Sequence, residues 1–290
     1  MHNTPSPKVL IIGYGDLGGA IAKRLTDLNA EVYAVARSPK PASQVNLLQA
    51  DVTVPSSLSV LRTLQPEIIV YCVAAAGQTD EQYQQAYVEG LRNVLLTQFE
   101  NPQLKHVFFV SSTRVYGQTT DELLDEQTAA VPADFGGERL LEAESLLNAL
   151  ACSTTALRLS GIYGPGRLRM INLAKAPERW PANDSWTNRI QRDDAANFIV
   201  HLIQQVLAGT QVKPCYIVTD SKPVSQYEVL NWIAAQLELK PNTMRAPNIA
   251  PTISGGKRLS NQAMLATGYS LKYPNYQAGY QALLTELANE

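Results

Sequence analysis

An apolar run from Lys8 to Ile12 leads into Gly13-Tyr14-Gly15-Asp16-Leu17-Gly18, and from Leu17 to Leu28 the apolar residues recur at helical spacing. This reads as a strand, a glycine turn and a helix. Strands follow at Glu31 to Ala36 and Leu47 to Ala50, then a helix at Ser56 to Leu64 and a strand at Ile68 to Val73. The pattern next predicts one long helix from Glu81 to Phe99 and a fifth strand from His106 to Ser111. Strands apolar on both faces and alternating with helices predict a parallel sheet covered on both sides, an α/β doubly wound fold.

Beyond Gly136 a helix runs to Leu150 and a strand lies around Thr155 to Leu159. From Gly161 to Arg192 the chain holds Gly, Pro and Trp without clear periodicity, which predicts a loop-rich segment flanking a ligand. A helix at Asp193 to Leu207, a strand at Cys215 to Val218 and a helix at Val224 to Leu237 follow. Pro241, Pro247, Pro251 and Pro274 then separate short periodic pieces, as in a small second lobe. The expected division is residues 1–166 as mainly a dinucleotide-binding core, with 167–290 completing that core and forming a smaller substrate lobe.

Composition narrows the classes. The 290 residues are 45% hydrophobic and 17% charged with a net charge of -2, so the chain can bury a core, and it lacks the basic patch that nucleic-acid binding needs. Cys72, Cys152 and Cys215 are far apart among apolar neighbours, as expected of reduced core thiols. The longest apolar stretch, Ile68 to Ala76, is about half of the ~18–20 residues that span a bilayer, and Met1 to Lys8 has no signal-peptide character. A cytoplasmic protein without a membrane partner is expected. His2, His106 and His201 have no ligand spacing, so no metal site is expected, and Ser111 and Ser112 lack the Gly-x-Ser-x-Gly elbow of a serine nucleophile.

Gly13 to Gly18 matches Gly-x-Gly-x-x-Gly in the context that gives the motif meaning, after a strand and opening a helix. The helix N-terminal N–H groups of residues such as Asp16 and Leu17 then face a pyrophosphate, with Tyr14 and Gly15 in the turn. An NAD-selective site places a carboxylate at the end of the second strand to accept from the ribose. Here that strand ends Ala36-Arg37-Ser38, where Arg37 can pair with a 2′-phosphate, so NADP is expected and NAD is the alternative. Asp51 and Val52, after the third strand, are candidate adenine neighbours.

Together with Asp51-Val52, Ala74-Ala75-Ala76-Gly77, Ser111 to Gly117 and Leu157 to Gly166, the glycine loop resembles the extended short-chain dehydrogenases, the NAD(P)-dependent epimerase/dehydratase family. Lys257 to Asn261 and Tyr273-Pro274 resemble that family's tail. The resemblance implies a nicotinamide site bordered by Ala74, Ala75 and Tyr163, and a small-molecule substrate whose carbonyl or alcohol, in a sugar-like molecule for example, is oriented by Ser112. It also implies a Tyr-x-x-x-Lys pair, which is absent. Pairing Phe135 with the tyrosine puts Arg139 at the lysine, a candidate for holding ribose, whereas aligning Ala143-Glu144 leaves Gly136 and Leu140. Tyr87 also stands where the family has an Asn. Tyr116 and Tyr163 are candidate replacement acids, and Arg167 is a candidate partner for an anionic substrate group. Two readings follow: an oxidoreductase or epimerase, or a non-catalytic NADP(H)-binding sensor that presents a surface to a partner. A homodimer is the assembly to test for.

Overall fold

The computed structural model describes residues 6–41, 44–239 and 253–289, so Pro241, Pro247 and Pro251 lie outside the described residues. In chain order it contains β1 (Lys8–Ile12), α1 (Asp16–Asp27), β2 (Glu31–Ala36), β3 (Asn46–Gln49), a 3-10 segment Pro55–Leu61, and β4 (Ile68–Tyr71). Next come α2 (Asp80–Tyr83), a π-helical segment Gln84–Glu89, α3 (Gly90–Thr97), β5 (His106–Ser112), a 3-10 turn Thr113–Val115, β6 (Leu123–Leu124) and α4 (Phe135–Leu146). β7 (Ser153–Leu159), β8 (Gly161–Tyr163), α5 (Arg169–Ala174), β9 (Trp186–Thr187), β10 (Arg189–Gln191) and α6 (Arg192–Leu207) follow. The last elements are β11 (Cys215–Val218), β12 (Val224–Ser225), α7 (Gln226–Gln236), β13 (Arg258–Leu259), α8 (Gln262–Leu265) and α9 (Tyr276–Ala288).

Seven strands form one sheet in the order β11-β7-β5-β4-β1-β2-β3. The pairings β2–β3, β1–β2, β1–β4 and β4–β5 are parallel. This is the doubly wound order expected from the alternation of strands and helices, with the chain reversing direction across the sheet between β1 and β4. Three segments differ from the expected pattern. The helix at Ser56 to Leu64 is the 3-10 segment Pro55–Leu61, and the single helix from Glu81 is broken by the π-helical turn. The stretch from Gly161 to Arg192 is built of short elements, β8, α5, β9 and β10, too brief to carry a period.

The chain divides into two compact units, each drawn from three stretches: Met1–Tyr116, Ala130–Arg158 and Ala196–Tyr216 in one, and Gly117–Ala129, Leu159–Ala195 and Ile217–Glu290 in the other. In the first unit Val9 to Ile12 and Ile68 to Tyr71 are fully buried, as befits strands covered on both faces. His106 is buried there with its Nε2 2.9 Å from the Thr155 hydroxyl. Since that hydroxyl donates to the Lys213 carbonyl, the ring nitrogen is the donor, and burial lowers the imidazole pKa to about 4. The second unit has its own apolar cluster, in which α5, α7 and α9 bury Ile171, Trp180, Val229, Ile233, Tyr276, Tyr280 and Leu283.

Candidate functional site

The glycine loop lies in the first unit between β1 and α1. Gly13 has φ +104°, and a Cβ there would stand 2.8 Å from the Cys72 carbonyl oxygen, so both its backbone and its space demand glycine. A Cβ on Gly18 would meet the Gly13 carbonyl at 2.1 Å. Gly15 differs: a Cβ there meets nothing within 4 Å. The loop is anchored from behind by the Gly13 and Tyr14 N–H groups, which both donate to the Val35 carbonyl at 3.1 and 2.8 Å. α1 starts at Asp16 with Gly15 as its N-cap and no side chain capping it. Its first N–H groups, those of Asp16 and Leu17 among them, therefore open beside Gly15, which fits the pyrophosphate of a dinucleotide.

Next to this loop a cleft of about 120 Å³ is lined by Arg37, Asp51, Val52, Thr53, Ala74 and Ala76, among others. Asp51 has a second task there, because its carboxylate accepts from the Thr53 N–H and hydroxyl at 2.9 and 2.8 Å and so shapes the turn after β3. Ser38 is exposed in the bend after β2 and is not among the residues lining the cleft. Ala75 is half-buried after β4, where its backbone hydrogen-bonds Tyr87.

Ser112 ends β5 and caps the short Thr113–Val115 turn, its Oγ accepting from the Arg114 N–H at 3.2 Å. The Arg114 guanidinium is the central group of this region. Its Nε donates to both carboxylate oxygens of Asp134, at 2.9 and 3.1 Å, and its Nη1 donates to the Tyr83 hydroxyl at 2.8 Å and to Gln78 at 3.2 Å. It also lies over the rings of Tyr83 and Phe135, at 5.1 and 5.3 Å. A Cβ on Gly136 would fall 2.5 Å from its Cζ. The missing side chain at Gly136 is therefore the room Arg114 uses.

α4 shows how the absent pair maps onto the fold. Asp134 caps it by accepting from the Gly137 N–H. Gly136, Leu140 and Glu144 recur every four residues, and this face turns to β5, because Glu144 accepts from the Ser111 hydroxyl at 2.6 Å. Phe135 and Arg139 lie on the neighbouring face, toward α2: Phe135 meets the Tyr83 ring edge-on, and Arg139 binds Asp80 at 2.6 Å and Glu142 at 2.8 Å. The Arg139 bond holds the Asp80 carboxyl below its usual range.

The tyrosine candidates lie inside the protein. Tyr116 is fully buried, and its hydroxyl accepts from Arg158 Nη1 at 2.6 Å while the guanidinium covers its ring. Arg158 in turn pairs with Glu144 at 2.6 Å, both side chains being only 12% and 11% exposed. Ser111, Glu144, Arg158 and Tyr116 thus form one buried polar chain that locks α4 to β5 and β7. Tyr163 is in the second unit, 4% exposed and stacked on Tyr280. Arg167, also in that unit, is exposed, and its N–H donates to the Gly164 carbonyl at 2.9 Å. Among the described residues no three His, Cys, Asp or Glu side chains are grouped to hold a metal ion, and no helix is long and apolar enough to cross a membrane.

Sequence reading missed Arg114, Gln78, Tyr83, Glu144 and Arg158. Arg114 and Arg158 sit inside the very motifs that suggested the family, two residues after Ser112 and two before Ser160, but their partners come from distant segments and no spacing announces them.

The strand order and the glycine loop at the end of β1 define a doubly wound α/β protein of the dinucleotide-binding kind, and the family match places it in the extended short-chain dehydrogenase class. Within it, the chain belongs to the family of the RmlD substrate binding domain, whose model matches residues 7–289. A solved structure from Methylobacillus flagellatus, assigned as an NAD-dependent epimerase/dehydratase, is 48% identical with a TM-score of 0.88, covering 98% of this chain and 100% of the other. WbmG of Bordetella bronchiseptica, solved in complex with NAD, is 16% identical with a TM-score of 0.79 over 100% of this chain and 96% of its own. The ADP-L-glycero-D-manno-heptose-6-epimerase of Helicobacter pylori is 16% identical with a TM-score of 0.78, covering 98% and 97%. The last two share the fold. No curated protein sequence matches the chain.

Proposed function

We propose that the protein binds a nicotinamide dinucleotide on the β1–α1 loop and acts on a carbonyl or hydroxyl group of a nucleotide-sugar-like substrate lying next to Ser112. The observation that carries this reading is the open Gly15 at the uncapped start of α1, beside the cleft lined by Arg37 and Asp51. The 48% identical structure assigned as an NAD-dependent epimerase/dehydratase supports it, as do WbmG complexes containing NAD and UDP. A bound nicotinamide ring would supply or accept hydride. Since the Ser112 oxygen accepts from Arg114, its hydroxyl proton is left to donate to a substrate oxygen. Arg114, held by Asp134, offers fixed positive charge against an oxygen that gains negative charge, but a guanidinium does not relay protons.

Arg37 in the cleft and Ala36, which lacks a carboxylate, favour NADP over NAD. Titration calorimetry with NADPH and NADH tests this. NADPH should bind more tightly by ~1–3 kcal/mol, and Arg37→Ala should erase most of the difference. Equal affinities in the natural protein would remove Arg37 from the role, and absence of dinucleotide binding would overturn the whole reading.

A second reading, a dinucleotide-binding protein that does not turn over, is favoured by one observation: the α4 face turned to β5 carries Gly136 and Leu140, which bring neither phenol nor ammonium. Assays of bound cofactor against a panel of nucleotide sugars separate the two. Turnover lost in Ser112→Ala supports the enzyme, and tight binding with no turnover supports the binder.

A further inference from the structure

We infer that the second unit holds one buried water molecule as a fixed part of its fold, bound by the hydroxyl of Tyr163, Nη1 of Arg189 and Oδ2 of Asp220. The three side chains are 4%, 4% and 1% exposed, and each of these atoms is buried with no hydrogen-bond partner among the described residues. The large majority of buried polar side-chain atoms are paired, so three orphans in one neighbourhood ask for a shared partner.

Their placement follows from the strands. β8 and β10 pair in parallel, with Arg189 opposite Gly161 and Gln191 opposite Tyr163. Alternation puts Arg189 and Tyr163 on the same face, two residues apart along the strands. The Asp220 N–H donates to the Arg189 carbonyl at 2.8 Å, which brings the third residue to the same end. α9 covers this face: Tyr280 stacks on Tyr163 at 4.3 Å, and the Arg189 guanidinium lies 5.6 Å from the centre of the Tyr276 ring. A Cβ on Gly279 would fall 1.7 Å from the Tyr163 hydroxyl, so glycine there is what lets the phenol reach its place.

Neighbouring atoms of two of these side chains are already engaged. Arg189 Nη2 donates to the Thr187 hydroxyl, and Asp220 Oδ1 accepts from the Lys222 N–H at 3.1 Å. Burial raises the Tyr163 pKa most, the Asp220 charge adds to the rise and Arg189 opposes it, so the three groups sense one another electrostatically, yet no direct hydrogen bond or ion pair joins them. With Asp220 ionised they offer jointly one donor, one acceptor and one group that is both, and with Asp220 protonated its carboxyl donates or accepts as the Tyr163 hydroxyl does. A cation would face Arg189 in either state, and an anion would face the ionised Asp220 carboxylate. A neutral molecule that both donates and accepts satisfies all three, and three partners is the usual complement of an internal water.

A crystal structure of the full chain at a resolution that shows solvent tests this directly. One peak is expected at ~2.7–3.2 Å from all three atoms. The inference is overturned if the three atoms bond directly to one another, or if no density lies among them. Thermal unfolding of Tyr163→Phe gives an independent measure: removal of one of the water's three partners should lower Tm by ~2–4 °C. An unchanged Tm would count against a hydroxyl that holds structural water.

Discussion

At residue 136 the lack of a side chain decides what stands beside Ser112. Any Cβ there would lie 2.5 Å from the Arg114 guanidinium, so a tyrosine at 136 and Arg114 in its present seat exclude each other. Sequence spacing left two registers open for the absent pair. The structure puts Gly136 and Leu140 on the face toward β5, the register suggested by Ala143-Glu144, and Phe135 and Arg139 beside it. That distinction was illegible in the chain because it depends on a residue 22 positions away folding back over α4. The glycine loop was legible because its constraints are local: Gly13 needs its positive φ, and Gly18 touches Gly13. The same geometry separates two substitutions. Gly15→Val should abolish NADPH binding in calorimetry while leaving Tm within a few degrees, because the new side chain projects into open space and φ of -95° suits any residue. Gly18→Ala should instead destabilise the protein itself, since its Cβ collides with backbone 2.1 Å away. A Gly15→Val protein that still binds would show the loop to be structural only.

Among the elements, β1, β2 and β11 coincide residue for residue with the apolar runs that predicted them. The long helix expected from Glu81 to Phe99 shows where periodicity stops being informative. The Tyr71 hydroxyl, at the end of β4, donates to the Ala86 carbonyl inside the π-helical segment, and Gly90 gives that hydroxyl room. A side chain entering the backbone ladder widens the turn, and no count of apolar positions along the helix reveals the intruder. Tyr71→Phe should cost about 1–2 kcal/mol in denaturant unfolding, through the lost bond and a carbonyl left to find another donor. A cost near zero would mean that the turn widens for another reason. β9 and β10 were invisible for a related cause. Two and three residues long, they exist through partners far along the chain, as when the Asn188 side chain donates to the Lys257 carbonyl and accepts from the Leu259 N–H.

On the scale of the molecule, two buried groups pull stability in opposite directions with pH. Burial raises Asp220 from 3.8 to about 7, against the pull of Arg189 and Lys222 and with Asp194 adding to the rise. Its folded carboxyl keeps a proton that the unfolded chain has released, so this contribution is full at low pH and is lost as pH rises from about 4 through 7. His106 is the reverse. The unfolded imidazole takes a proton near 6.5 and the folded one only near 4, so stability is full above 6.5 and is lost as pH falls toward 4. Each effect is on the order of 3 kcal/mol, and the windows overlap. Melting curves between pH 4 and 8 should thus steepen in opposite senses in two variants: Asp220→Asn should lose more stability toward acid than the natural protein, and His106→Gln should lose more toward pH 7. Parallel curves for all three proteins would sink both assignments.

The strand order carries a consequence for how the chain comes into being. β7 lies between β5 and β11, and β11 begins at Cys215, after the whole of the second unit's middle stretch, Leu159–Ala195, has been made. Until then the nascent chain holds β7 with one side unpaired, its Ala156, Leu157 and Leu159 destined for burial. An unpaired strand edge is a template for another chain. A shortened version of the protein stopping between residues 160 and 214 would keep that edge permanently, and would be expected to associate with itself rather than remain as a free half.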